Sequence, residues 1–193
     1  MPLSFDWVRL LRTPLDRLLS RLRARSPRDA DLGRLRARFT AQPSAWTATR
    51  EQRRLAARLG TLKRELAHAF VGLRSCHGCA RGEPLPKGRW EGGRCCGTGT
   101  FVVFTPDEVH ALKLAGVRAR DLVAPEGDLA GCVFRGPLGC SLAPEQRPTV
   151  CLVYTCAELK DELGARADAG RVHALRAELH QTFDAFLRAT GPR

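Results

Sequence analysis

The two ends of this 193-residue chain contain no cysteine, although the chain holds eight. The first 75 residues and the last 37 lack it, so that all eight cysteines lie between Cys76 and Cys156. A rare residue scattered at random would not leave both ends empty. Cysteines gathered in this way are typical of a metal site, a disulfide framework or thiol chemistry. The range 76–156 is therefore where the sequence concentrates its chemistry.

The sequence also lacks a long hydrophobic run. No stretch of about 18 apolar residues, the length of a membrane-spanning helix, occurs in it. Arg9, Arg12 and Arg17 interrupt the first 22 residues, and we therefore expect no signal peptide there. Disulfide-dense chains belong to oxidising compartments, whereas cytoplasmic thiols stay reduced. We expect a cytoplasmic protein without a transmembrane segment, in which metal binding or redox chemistry is favoured over disulfides.

Aromatic residues make up only 6% of the chain, while hydrophobic residues make up 44%. The core must therefore consist mostly of Leu, Val and Ala. The length suits one domain, or one domain with an extension. We divide the sequence into a basic helical N-terminal extension (1–75), a cysteine-cluster metal-binding core (76–156) and a C-terminal helical segment (157–193).

Little net positive charge lies outside the N-terminal third. Residues 1–75 hold 17 Lys and Arg against 6 Asp and Glu, whereas residues 76–193 hold 15 against 14. The basic third suits an acidic protein, an anionic membrane surface or nucleic acid as a partner. The alternative, which we prefer, is that Arg fills the solvated faces of helices. A protein partner of the basic helices stays open, and nucleic acid ranks below it because the cysteine region is nearly neutral.

Apolar periodicity predicts helices at both ends of the chain. Thr13-Pro14 and Ser26-Pro27 each place a capping hydroxyl before a proline, which is typical of a helix start. We predict two short helices within 1–44, a linker at 42–44, a helix from about 45 to 74 and a last helix from about 171 to 188. Their apolar positions are Leu15, Leu18, Leu19 and Leu22; Leu32, Leu35 and Phe39; Leu55, Leu59, Leu62, Leu66, Phe70 and Leu73; and Val172, Leu175, Leu179, Phe183, Phe186 and Leu187.

The middle of the chain is predicted to form loops with short strands and one helix. Residues 75–99 are rich in Gly and Pro, and residues 100–105 predict a short strand. A capping box at Thr105 and Glu108 starts a helix that ends at Gly116. Residues 131–134 and 139–142 predict two short strands, and 144–148 a turn. The predicted fold class is α-rich α+β, with a small loop-rich cysteine core and short strands, flanked by amphipathic helices at both ends.

The cysteine spacing favours a metal over other uses of thiols. Cys76 and Cys79 form a chelating Cys-x2-Cys unit, but zinc ribbons use two such units and only one is present. Cys95 and Cys96 are adjacent, so one of them can bind metal while its neighbour packs. Dispersed single cysteines near Gly-rich loops suit an iron–sulfur cluster at least as well as zinc. The candidate ligands are Cys76, Cys79, Cys95, Cys96, Cys132, Cys140, Cys151 and Cys156, with an iron–sulfur cluster preferred over Zn.

The order of these motifs resembles a known family. The motifs are Cys95-Cys96, Thr105-Pro106-Asp107-Glu108, Cys132-Val133-Phe134, Gly139-Cys140-Ser141-Leu142, Arg147-Pro148-x-x-Cys151 and Tyr154. This order is similar to the YkgJ-like, or CxxCxxCC, cysteine-cluster proteins, which are described as zinc- or iron-chelating domains and have the flagellin lysine N-methylase as a relative. The resemblance covers about residues 76–156 and implies that Arg147-Pro148 presents Cys151. Gly92 stands where the family pattern has a second cysteine.

Three rival functions follow from the same residues. The resemblance implies a protein-modifying enzyme of the methylase kind, but Gly97-Thr98-Gly99 is too short to indicate a nucleotide cradle. The basic third allows a zinc-dependent nucleic-acid-binding protein. A thiol oxidoreductase would need Cys76 and Cys79 at a helix start, whereas the predicted helix ends just before them.

The basic N-terminal third predicts how any binding to nucleic acid should depend on salt. Any nucleic-acid affinity should be weak, independent of sequence and steeply salt-dependent, because phosphate contacts release counterions. An acidic protein partner would be held by charge that salt screens over about 10 Å at about 0.1 M. Titration with random duplex DNA and RNA at two salt concentrations measures this. Tight binding that resists salt and discriminates between sequences would make nucleic acid the leading partner.

Overall fold

The computed structural model describes residues 28–43, 47–81, 99–125 and 131–191. This part of the chain is 68% helical, with one short two-stranded antiparallel sheet, and confirms the α-rich class. Within these ranges, no helix combines the length and hydrophobicity needed to cross a bilayer. The elements are α1 (28–41), α2 (Arg50–Glu65), α3 (Arg74–Arg81), α4 (Thr100–Val103), α5 (Pro106–Leu114), β1 (Arg135–Gly136), β2 (Gly139–Cys140), α6 (Val150–Val153), α7 (Ala157–Gly164) and α8 (Ala169–Thr190).

The leucine face of α2 packs against the long C-terminal helix α8. A capping box starts α2: Gln52 N donates to Thr49 Oγ1 (3.1 Å), and Thr49 N donates to Gln52 Oε1 (2.8 Å). The two predicted apolar stripes enter one hydrophobic cluster and are core, except that Phe183 is only partly buried and Leu187 is exposed, so the prediction for Leu187 was wrong. The buried members of this cluster include Leu55, Leu59, Leu62, Leu66, Phe70, Leu73, Leu152, Leu159, Leu163, Val172, Leu175, Leu179 and Phe186.

The helix predicted from 45 to 74 is interrupted, so its continuity was wrong. Helix α2 ends at Glu65, a 3-10 turn spans Ala67–Phe70, and Gly72 has a φ of +70°. Glycine adopts this left-handed conformation at low cost, which lets the chain turn before α3 begins. The apolar period continues through the break because the buried side chains still face the same core.

The segment 100–105, predicted as a strand, begins with helix α4 instead. Phe104 N donates to Thr100 O (3.0 Å), a helical bond, and Val103 and Phe104 are buried. The Thr100 hydroxyl accepts from Val133 N (3.0 Å) and ties this turn to the hairpin. A short apolar run is ambiguous between a buried strand and a buried helical turn, and here the tertiary contact decides.

The predicted hairpin exists, but it is shorter than expected. Strands β1 and β2 pair Arg135 with Cys140 and Gly136 with Gly139, so β1 falls in the segment predicted as the connection. Residues 132–134 are not a strand because Arg135 N closes a turn on Cys132 O (3.0 Å). Gly139 has a φ of +101°, which favours glycine over all other residues at this position.

The predictions for α5 and for the 3-10 turn Pro144–Gln146 are confirmed. Thr105 Oγ1 accepts from Glu108 N (3.2 Å), and α5 ends shortly before Gly116. The carboxylate of Glu108 does not complete a capping box at Thr105. It accepts from Thr149 instead, which connects α5 to α6.

Helix α1 confirms the second N-terminal helix and its apolar stripe; the predicted helix over 13–22 and Ser44 of the linker lie outside the described residues. The stripe of α1 enters a second cluster with α4, α5 and the hairpin, whose buried members are Leu32, Leu35, Phe39, Val103, Phe104, Val109, Leu112, Leu122, Cys132, Val133, Phe134 and Leu142.

Arginines of α1 bind backbone carbonyl oxygens of this second cluster. Arg28 donates to Val133 O (2.6 Å) and Arg135 O (3.1 Å). Arg36 donates to Leu122 O (2.9 Å) and Arg38 to Phe104 O (2.7 Å). Both clusters thus draw residues from each side of residue 76, and the division into three ranges stays a prediction.

An exposed polar cluster joins the turn after α2 to the turn before α8. The Nδ1 and Nε2 atoms of His68 lie 2.9 Å from Glu65 O and 2.7 Å from Asp168 Oδ2, and Arg166 Nε donates to Asp168 Oδ1 (2.9 Å). The hydrogen bonds from Arg166 and then His68 lower the pKa of Asp168 to about 2. The folded state therefore favours the Asp168 carboxylate more than the unfolded chain does.

We expect Asp168→Asn to destabilise the protein in a pH-dependent manner. Because the pKa of Asp168 is depressed on folding, its contribution is present above about pH 4 and is lost as the pH falls toward about 2. Urea unfolding of wild type and variant, followed by far-ultraviolet circular dichroism, measures the difference near neutral pH and near pH 2. Asp161→Asn, at an exposed position of α7, is the control. A difference that stays constant with pH would contradict the prediction.

Candidate functional site

The structure describes five of the eight candidate thiols. Their elements are distributed along the chain: Cys76 in α3, Cys132 before β1, Cys140 in β2, Cys151 in α6 and Cys156 at the N-cap of α7. The backbone of Cys79 lies in α3, while its side chain lies outside the described part, as do Cys95 and Cys96 with the Gly-rich loop.

Cys76 lies in the first turn of α3, which corrects the expectation that the Cys-x2-Cys unit only follows a helix. The carboxylate of Glu162, from α7, accepts from Arg74 N (2.7 Å), Ser75 N (2.8 Å) and Ser75 Oγ (2.6 Å). The objection to a thiol oxidoreductase that rested on the wrong helix end is thus wrong. However, the amides that favour an anion at a helix start already bind Glu162.

Cys76 packs directly on the hairpin. A Cβ added at Gly139 would lie 3.5 Å from the Cβ of Cys76 and 3.8 Å from its carbonyl oxygen. Gly139 precedes Cys140, so two candidate ligands that are distant in sequence belong to elements in contact. The left-handed φ of Gly139 favours glycine here, whereas an added Cβ would only make ordinary van der Waals contact with Cys76.

Cys132 lies in the most enclosed position of the described thiols, with 6% of its surface exposed. Burial raises the pKa of the Cys132 thiol to about 11, and hydrogen bonds from Phe134 N and the Thr100 hydroxyl offset this only in part. The nearby Cys140 raises the pKa further, because two thiolates would repel each other. An unmetallated Cys132 is therefore a neutral thiol at physiological pH.

Cys151 lies beside two buried charges that the sequence analysis missed. Lys63 of α2 and Glu108 of α5 are 1% and 3% exposed. Lys63 Nζ donates to Arg147 O (2.7 Å), and the positive charge of Lys63 interacts with both Glu108 and Cys151. Burial lowers the pKa of Lys63 and raises that of Glu108, since each charge leaves water. The sequence did contain a sign that Lys63 is buried, because Lys63 falls between Leu59 and Leu66 on the apolar face of its helix.

Cys156 is held close to the C-terminal helix. Arg176 of α8 donates to Leu152 O (2.9 Å) and Val153 O at the end of α6, and to Thr155 Oγ1 (3.4 Å) in the segment that joins α6 to α7. Cys156 packs against the same cluster as Cys76, whereas Cys140 and Cys151 pack against the cluster that contains Cys132. The described thiols are thus arranged around two adjoining parts of the core.

Among the side chains that the structure describes, no three Cys, His, Asp or Glu residues form a group that could hold a metal ion. A closed metal site in proteins commonly has four ligands. The side chains of Cys79, Cys95 and Cys96, three of the eight candidates, lie outside the described part.

No family model, no curated protein and no solved structure matches the chain. The resemblance to the YkgJ-like cysteine-cluster family accordingly stays a prediction that rests on the motifs quoted above.

The environment of Cys132 predicts slow alkylation in the metal-free folded protein. With its pKa near 11, the thiolate fraction near pH 8 is about 100-fold below that of an ordinary thiol, and burial slows access further. Timed iodoacetamide labelling with peptide mass spectrometry, in native buffer and in urea, measures the rate at each cysteine. In urea, the rate at Cys132 should equal the others. Native labelling at the rate of a small-molecule thiol would show that Cys132 is not enclosed as described.

Proposed function

We propose that this chain is a metal-binding protein that uses clustered thiolates to hold an iron–sulfur cluster or, as the alternative, zinc. The observation that carries the proposal is the meeting of α3 with the hairpin. Cys76 contacts Gly139, next to Cys140, and Cys140 is close to Cys132. Elements on either side of the Gly-rich loop therefore lie against each other, and each carries candidate thiols.

Chain connectivity supports a role for the remaining cysteines. Cys96 precedes Thr100 by four residues, a length that reaches at most about 14 Å when extended. The hydroxyl of Thr100 hydrogen-bonds to the Cys132 sulfur. Cys95 and Cys96 therefore fall within reach of the hairpin cysteines by connectivity alone.

Iron–sulfur ligation is preferred because the cysteines are dispersed and mostly single. Thiolates bind iron–sulfur clusters from loops and short elements of this kind, and reduction potential is then set by burial and by hydrogen bonds to sulfur. Cys76, Cys140 and one or both of Cys95 and Cys96 would hold the group, with Cys151 as a further ligand. A bound cluster would supply electron-transfer or structural chemistry, and bound zinc would supply structural stability.

Thiol redox chemistry is a second candidate function, favoured by one observation. Cys76 and Cys79 lie three residues apart in the first turns of α3, as the active cysteines of thiol oxidoreductases do at a helix start. The Glu162 carboxylate on the amides of the same helix end weighs against it. The methylase-like and nucleic-acid alternatives rest on the sequence alone.

Metal and sulfide content test the proposal. Protein purified without oxygen should contain iron and sulfide, or zinc, close to stoichiometry, and replacement of Cys95, Cys140 or Cys151 by Ser should lower that content by more than half. Ser141→Ala, next to Cys140 and exposed, is the control and should keep full content. If the three single cysteine variants all retain full metal content, the site is wrong. A metal-free protein with a Cys76–Cys79 disulfide would instead favour thiol redox chemistry.

A further inference from the structure

We infer that Lys63 and Glu108 are positioning residues that fix the turn 147–150 and thereby set the place of Cys151 in the cysteine site. The inference rests on the proposed function, because it assigns Cys151 to that site. It is drawn from the contacts of the two side chains, which come from different helices and meet at one turn.

The turn before α6 is held from both sides. On one side, Lys63 Nζ donates to Arg147 O at 2.7 Å. On the other, Glu108 Oε1 accepts from Thr149 N at 2.8 Å, and Oε2 accepts from Thr149 Oγ1 at 3.2 Å. The amide of Val150 also donates to the Glu108 carboxylate. The backbone from Arg147 to Val150 is therefore bound at each end immediately before Cys151.

Burying the side chains of Lys63 and Glu108 costs desolvation free energy, which bears on why the two residues are there. Lys63 and Glu108 are both nearly inaccessible to water, and removing two charges from water has a cost that their attraction offsets only with good geometry. Apolar residues at such sites often leave a protein equally stable or more stable. Stability of the core alone therefore does not account for Lys63 and Glu108, whereas their hydrogen bonds to the turn 147–150 do.

The position of Cys151 depends on this turn. Pro148 is buried, and Cys151 N donates to Pro148 O (3.0 Å), so the cysteine follows the turn without an intervening loop. Cys151 and Cys140 pack against the same cluster, which also contains Cys132. Loosening the turn should therefore displace Cys151 relative to the hairpin more than it displaces Cys156. Cys156 packs against the other hydrophobic cluster, and the hydroxyl of Thr155 before it accepts from Arg176 (3.4 Å).

The test compares Glu108→Ala with two milder changes and a stability control. Glu108→Ala removes every acceptor from the turn, Glu108→Gln keeps one oxygen for Thr149 N, and Lys63→Met removes the bond to Arg147 O. Leu55→Ala, in the core of α2, is the control because it lowers stability without touching the turn. If Glu108→Ala fails to fold, Glu108→Gln and Lys63→Met carry the test.

Two readouts separate positioning from general destabilisation. In metal-free protein, the alkylation rate of Cys151 should rise about tenfold in Glu108→Ala and less in Glu108→Gln, with a smaller change in the rate of Cys156; the factor corresponds to the loss of one or two hydrogen bonds. In loaded protein, metal release to a chelator should accelerate by a similar factor in the Glu108 and Lys63 variants. Leu55→Ala should alter the two thiols equally.

The outcomes distinguish failure of the inference from failure of the proposed function. Equal changes at Cys151 and Cys156, or metal release no faster than in Leu55→Ala, would overturn the positioning role even if the protein binds metal. A wild-type protein that takes up neither iron nor zinc would overturn the proposed function and, with it, the assignment of Cys151 to a metal site. Selective change at Cys151 together with faster metal release is the expected result.

Discussion

The packing of the α2 leucine face against α8 is the interaction on which the rest of this structure depends. Each fully buried leucine contributes about 1.5–3 kcal/mol, more than the roughly 1 kcal/mol net of a typical hydrogen bond. Several such leucines meet along this contact. Lys63 of α2 donates to Arg147 O in the turn before α6, and Arg176 of α8 donates to Leu152 O near the end of α6. The apolar contact thus sets the frame in which the polar contacts around the cysteines are made.

Apolar periodicity in the sequence predicted the helices that bury one apolar face against the core. The stripes of α1 and α2 and most of that of α8 are buried as expected, because an amphipathic helix needs only one surface to pack on, whereas Leu187 of α8 is exposed. The predictions failed where local pattern and tertiary contact compete. Residues 100–105 have strand composition but form a helical turn against the hairpin, and the period of α2 runs on past Glu65 although Gly72 turns the chain.

The candidate site was predictable as a region and not as an arrangement. The restriction of cysteine to 76–156 is visible in the sequence, but the contact of Cys76 with Gly139 depends on how α3 lies on the hairpin. The sequence analysis singled out no role for Lys63 and predicted Glu108 only as half of a capping box. Their roles arise from the meeting of three elements, which no local pattern contains.

The arginines of α1 illustrate how a basic composition can serve the interior of a protein. Arg28, Arg36 and Arg38 donate to carbonyl oxygens of the short hairpin and of the segments beside it. A guanidinium can serve two such oxygens at once, as Arg28 does, and a lysine ammonium lacks that planar geometry. Helix α1 therefore covers a part of the backbone with little regular structure and supplies hydrogen-bond donors to it. A fragment cut at the first cysteine would lose that cover, and its loops would need water or another chain in place of α1.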